Sequence, residues 1–244
     1  MSATVEGPYY RSPRTMGRFI AVLVLVTIVL GIIAQVLISE RLVSLRDPAR
    51  TATNILANIS LYRTGFTLYM IEMAAQIGST VLLYHLLKPA NARIATVALA
   101  FGLVGCTIKI FSRVFYLAPL FLLDQREFGA LGAEQVQALS LVLLNVNDRG
   151  AGVALGFFGV ETVLEGCLMM RSTFLPRWLG ALVMIGGFGW LAFLSPTLGY
   201  ELFNVVALVA LVTVIVLVGW LLVKGVDEQR WYAMAALRDY HTGR

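Results

Sequence analysis

Apolar residues run through this chain in long blocks, and polar ones recur inside several of those blocks at helical spacing. Six blocks approach or reach the ~20 residues that a helix needs to cross ~30 Å of hydrocarbon. They run from about Phe19 to Ile38, Thr64 to Leu87, Ile94 to Leu117, Gly150 to Met170, Leu179 to Phe193 and Asn204 to Val223. The fifth, with "MIGGFGWLAFL", is short and rich in glycine. The pattern predicts an all-α fold, a polytopic transmembrane helical bundle of about six spanning helices. Residues 1–18 then form a cytoplasmic N-tail, 19–223 the transmembrane domain, and 224–244 a cytoplasmic interfacial C-tail.

Two connections are long enough to hold structure of their own. In "DQREFGALGAEQVQALSLVLLNVND", Ala130, Ala133, Val136, Leu139 and Leu143 recur at helical spacing against Glu134, Gln135 and Gln137. That is the pattern of a short helix lying on the membrane or capping the bundle. The first loop, "SERLVSLRDPARTATNILANISLYR", is also partly amphipathic. The C-tail reads as a short interfacial helix with Trp231, Tyr232 and Tyr240 at headgroup level. The N-terminus has a basic flank, but its apolar core exceeds a signal peptide's 7–15 residues and no small-residue cleavage site follows. It is read as a retained first span.

Composition agrees with a membrane protein. Of the 244 residues 59% are hydrophobic and 14% charged, with a mean hydropathy of +0.81. Seventeen of the 19 Lys and Arg lie outside the spans, eleven on the side of the two tails and six on the other. The larger number belongs inside, which makes both termini cytoplasmic. The net charge of +5 carries no cluster of basic and aromatic residues, so nucleic acid is not an expected partner. Cys106 and Cys167 read as small buried thiols, and His85 as an interfacial histidine. With two histidines no metal or cofactor is expected.

The polar positions inside the spans form stripes. Gly65, Tyr69, Glu72, Gln76 and Ser79 are separated by 4, 3, 4 and 3 in the second span. Gly102, Cys106, Lys109, Arg113 and Tyr116 repeat that spacing in the third. Each set occupies one helix face. In the fourth span Glu161 and Glu165 share a face, with Gly152, Gly156 and Gly159 opposite. The glycines invite close approach of one neighbour; the acids must meet another.

Counting residues from the expected span ends puts Glu72 and Lys109 ~12 Å deep and Glu161 ~16 Å deep. Ionisable groups at such depth normally face protein or water and have partners. Lys109 and Arg113 are therefore expected to hold Glu72 and Glu161. Three acids against two bases leave one over. Glu165, farthest from the bases, is the candidate for carrying a proton. A purely structural ion pair that fixes helix register is the competing reading.

From Gly132 to Gly187 the chain contains "LLNVND", "FFG" and "RSTFLPRWLG". These stretches resemble the elements "LLFLNLHD", "FFG" and "RSGYLPRILG" of a bacterial family called domain of unknown function 4386. Leu144, Asn145, Asp148, Phe157, Phe158, Gly159, Arg171, Ser172, Leu175, Pro176, Leu179 and Gly180 carry the match. Upstream, "TATNILANISLYRTGF" and "LLYHLLKPANARIA" fit as well. The resemblance implies a polytopic bacterial membrane protein and no particular activity. Members commonly carry histidine after "FFG" where this chain has Glu161, and Glu165 replaces an apolar residue.

Three functions are open at this point. The first is an inner-membrane protein whose polar pocket among spans two, three and four binds or transports a small amphiphilic molecule, with or without a coupled proton. The second is a membrane-embedded enzyme using Glu161 or Glu165 as acid/base on a lipid-like substrate. The third is a non-catalytic subunit, docked through its glycine face to a second copy or another membrane protein.

Overall fold

The computed structural model describes residues 12–124 and 132–242. Among them the chain is helical throughout, without strands. Eight helices follow in order: α1 Pro13–Leu42, α2 Pro48–Ala57, α3 Ile59–Leu87, α4 Ala92–Leu122, α5 Ala133–Arg171, α6 Arg177–Leu194, α7 Pro196–Val223 and α8 Glu228–Thr242. All but α2 and α8 are long and apolar enough to cross a membrane.

Local chemistry sets several of the boundaries. Ser12 accepts a hydrogen bond from the Thr15 amide and Pro13 opens α1, so the helix starts earlier than its first apolar residue, Phe19. Asp47 with Pro48 and Asn91 cap α2 and α4 in the same way. Between Ile33 and Ser39 α1 widens into a π-helical turn before its last residues.

The fourth span differs from expectation. The amphipathic segment predicted as a separate surface helix is the beginning of α5, which runs unbroken for 39 residues. Neither Gly150 nor Gly152 stops it, because helix on both sides is held by packing and glycine alone is a weak breaker. At ~1.5 Å per residue α5 is ~58 Å long, nearly twice the hydrocarbon thickness. Of the amphipathic stripe, Ala130 lies outside the described residues, as do Arg11, Arg126 and Arg244 of the charge count.

Helix α5 is central, packed between α4 and α6. Helix α1 lies against α3 and α7, and α3 against α4. An apolar layer including Ile20, Leu86, Leu168, Leu179 and Leu221 fills the side of the bundle that holds α8, here called the tail side. A second layer with Ile55, Tyr62, Tyr69, Tyr116 and Leu144 fills the far side. Lys109, Glu72, Thr80 and Glu161 lie between them.

The glycine face of α5 is covered by the chain itself. A Cβ at Gly159 would stand 2.8 Å from the Leu191 amide nitrogen, and one at Gly166 2.7 Å from the Gly180 carbonyl oxygen. Gly156 faces Leu194, and Gly152 faces the Tyr200 hydroxyl. Small residues thus let α5 and α6 meet backbone to backbone.

Candidate functional site

The stripes on α3 and α4 do face each other. Lys109 Nζ lies 2.6 Å from Glu72 Oε1, a buried ion pair with Glu72 only 4% exposed. Gly31 of α1 closes over it, since a Cβ there would be 3.2 Å from the same oxygen. The 4, 3 periodicity puts both residues on facing stripes, and their equal distance from the far ends of α3 and α4 brings them level.

Arg113 does not hold an acid, contrary to expectation. Its Nη1 donates to Asn147 Oδ1 at 3.0 Å, and its guanidinium carbon lies 3.6 Å from the centre of the Tyr69 ring. The residue is 4% exposed, and its Nε has no hydrogen-bond partner. Tyr69 in turn donates to Gln35 Oε1 at 2.7 Å, within the π-helical turn of α1. Tyr116 packs edge-on against Tyr69 and stacks on Tyr62, with ring centres 5.4 and 4.3 Å apart. Tyr62 donates its hydroxyl proton to the Tyr116 carbonyl, while the Tyr116 hydroxyl is buried beside Ser39.

Glu161 is also placed differently. Thr80 Oγ1 donates to its Oε1 at 2.8 Å, and no cation pairs with it among the described residues. Its carboxyl fills the space left by Gly102, where a Cβ would be only 2.1 Å from Oε1. Thr80 lies eight residues tailward of Glu72, and Gly102 seven tailward of Lys109, so Glu161 sits ~10–12 Å beyond the ion pair. The matched depths failed because they were counted from Gly150. Helix α5 starts at Ala133, and Asn147 is already level with Arg113.

Glu165 lies one turn further along α5, within electrostatic reach of Glu161, half-buried and without a hydrogen bond or ion pair among the described residues. Two acids rather than one are therefore left without a base, and one base without an acid. Gln76 is half-buried, and its side chain makes no hydrogen bond among the described residues. Cys106 lies on α4 between Gly102 and Lys109, and so between the two levels.

Three contributors were not singled out from the pattern: Thr80, Asn147 and Gln35. Two had a signal. Thr80 follows Glu72 and Gln76 at intervals of four, and Ser140, Asn147, Ala154 and Glu161 recur every seven residues along the buried face of α5. Gln35 had none, because the π-helical turn that shifts it toward Tyr69 breaks the 3.6-residue period.

The assembled site is a polar column along α3, α4 and α5. A tyrosine cage with a lone guanidinium stands at its far end, an ion pair in the middle, and two carboxyl groups at the tail end. Neither the curated proteins nor the solved structures contain a match to this chain. The model of a family described as a domain of unknown function, DUF4386, matches residues 19–225, and this six-span protein belongs to that family.

Proposed function

We propose that the protein binds a small amphiphilic molecule at the far end of the polar column and moves it through the bilayer together with a proton held by Glu161 and Glu165. The carrying observation is the acid pair. Two carboxyl groups one turn apart, with a threonine donor and no cation among the described residues, form a place that can take up and release a proton. The Lys109–Glu72 pair separates that place from the tyrosine cage.

The eleven-to-six distribution of Lys and Arg supports an inner-membrane setting with both tails cytoplasmic and the start of α5 outside. A single cysteine at Ala133, with Cys106 and Cys167 replaced by alanine, is then labelled by an impermeant thiol reagent in intact cells. Labelling only after permeabilisation overturns the orientation.

Transport is tested in proteoliposomes with three fluorescent single-chain amphiphiles carrying phosphate, phosphocholine or trimethylammonium heads. Passage between leaflets is read by dithionite quenching, with and without a pH gradient. At least one probe should cross faster than in protein-free vesicles and respond to the gradient. Glu161→Gln and Glu165→Gln should remove the gradient response. If no probe is accelerated, or if the gradient and both substitutions leave the rate unchanged, the proposal fails.

A further inference from the structure

We infer that Arg113 is the receptor for an anionic head group, a carboxylate or phosphate, which reaches it from the far-side leaflet past the π-helical turn of α1. This deepens the proposed function by naming the class of molecule, and it rests on that reading only for what happens after binding.

The argument starts from charge. A guanidinium that is 4% exposed and has no carboxylate at ion-pair distance among the described residues is an uncommon arrangement. A buried charge is normally paired, because leaving water without a counter-charge is expensive. Two acids face this region, and neither lies at ion-pair distance from Arg113. Glu72 gives Oε1 to Lys109, and its Oε2 is buried without a hydrogen bond among the described residues. Glu40, exposed at the rim, accepts from Gln35 Nε2 at 3.5 Å and acts on Tyr69 only through space. The cage around Arg113 therefore keeps one positive charge without a close partner.

Hydrogen bonding narrows the guest. Tyr69 covers one face of the guanidinium and Asn147 takes Nη1, which leaves the edge carrying Nε. That edge presents donors in a plane, the geometry that suits a carboxylate or phosphate. The Tyr116 hydroxyl, also buried and with the Ser39 hydroxyl as a polar neighbour, stands beside the same Tyr69 ring. An acceptor with more than one oxygen suits the open edge of Arg113; a cationic guest meets a like charge there.

The route is set by α1. π-helical turns are rare and concentrate at functional positions. This one holds Gln35 exposed on the outside of the bundle while its Oε1 receives the Tyr69 hydroxyl. A polar side chain on that surface, one hydrogen bond from the ring beneath Arg113, gives a head group a path inward while its chain stays in lipid.

The test uses the full chain in dodecyl maltoside, with thermal unfolding followed against added sodium dodecyl phosphate, sodium laurate, dodecylphosphocholine and dodecyltrimethylammonium. Acetate and inorganic phosphate distinguish a free anion from an amphiphile. The two anionic amphiphiles should raise the unfolding midpoint saturably, the small anions only at far higher concentration, and the cationic one not at all. Tyr116→Phe should weaken the response about ten- to a hundredfold, the worth of one hydrogen bond to an anion. Asn147→Asp supplies a built-in carboxylate to Arg113, so it should raise the midpoint without ligand and abolish the anionic response. Arg113→Gln should abolish it too; where that variant does not fold, the other two decide.

Equal shifts with the cationic amphiphile, or an undiminished anionic response in Asn147→Asp, overturn the inference. A response that the small anions reproduce at equal concentration reassigns the site to a free anion. If the anionic response behaves as stated but no probe crosses the bilayer, the site stands and the transport reading falls. Transport of all three probes regardless of head charge would have the opposite meaning.

Discussion

The two faces of α5 solve opposite problems with the same helix. On one face Gly152, Gly156, Gly159 and Gly166 bring the backbone against α6 and the start of α7, and at Gly159 the nearest atoms are themselves backbone. On the other, Asn147 and Glu161 reach across to α4 and α3 through single hydrogen bonds. The glycine face is a contact that has one geometry. The polar face is a set of adjustable links between charges that are incompletely matched.

The sharpest way to break this contrast is Gly159→Val. The new Cβ would meet the Leu191 nitrogen at 2.8 Å and the Trp190 carbonyl carbon at 2.9 Å, both backbone atoms that cannot turn aside. Loss of the monodisperse folded peak on size-exclusion chromatography is expected. A folded Gly159→Val protein would mean that the two helices are not locked.

Lys109→Met comes next. It leaves Glu72 buried without its base, which should cost about 3–5 kcal/mol in thermal or denaturant unfolding. Replacing both residues, Glu72→Met with Lys109→Met, should recover most of that loss. A double variant as unstable as the single one would show that the pair contributes through packing rather than charge.

Gly102→Ala adds a Cβ 2.1 Å from Glu161 Oε1, but here the obstacle is the end of a flexible side chain. The carboxyl swings away from Thr80 and stability falls by about 1–3 kcal/mol, as for other overpacked sites. A loss as large as that at Gly159 would erase the difference between the faces. The smallest effect belongs to Thr80→Val, which removes one donor to Glu161 and should cost about 1 kcal/mol. Faster amide exchange around Thr80 on α3, with no change around Leu191 across the glycine face, is the accompanying sign.

How much of this could be read beforehand depends on what each feature requires. The six spans need only length and apolarity, and the Lys109–Glu72 pair needs two periodic stripes on neighbouring helices whose far ends are level. Arg113 required more. Its partner depends on how far α5 slides along α4, and a helical period of 3.6 fixes which face a residue occupies but not its height against another helix. Glu161 was misplaced for the same reason. The apolar block that resumes at Gly150 hides the true start of α5, because the hydrogen-bonded helix begins 17 residues earlier. Gln35 required a change of helical type that no hydrophobic pattern encodes. What is local in sequence was legible; what depends on the relative shift of two helices was not.

Trp231 has a consequence in time. Its indole Nε1 donates at 2.9 Å to the Leu86 carbonyl, one of the last carbonyls of α3, which the helix cannot satisfy internally. The two residues are 145 positions apart in the chain. At ~5–20 residues per second of translation, α3 waits roughly 7–30 s for the residue that closes its end. During that interval the second span lies in the membrane with its tail-side turn open. The ribosome, rather than the bundle, then decides when the interior of the protein is finished.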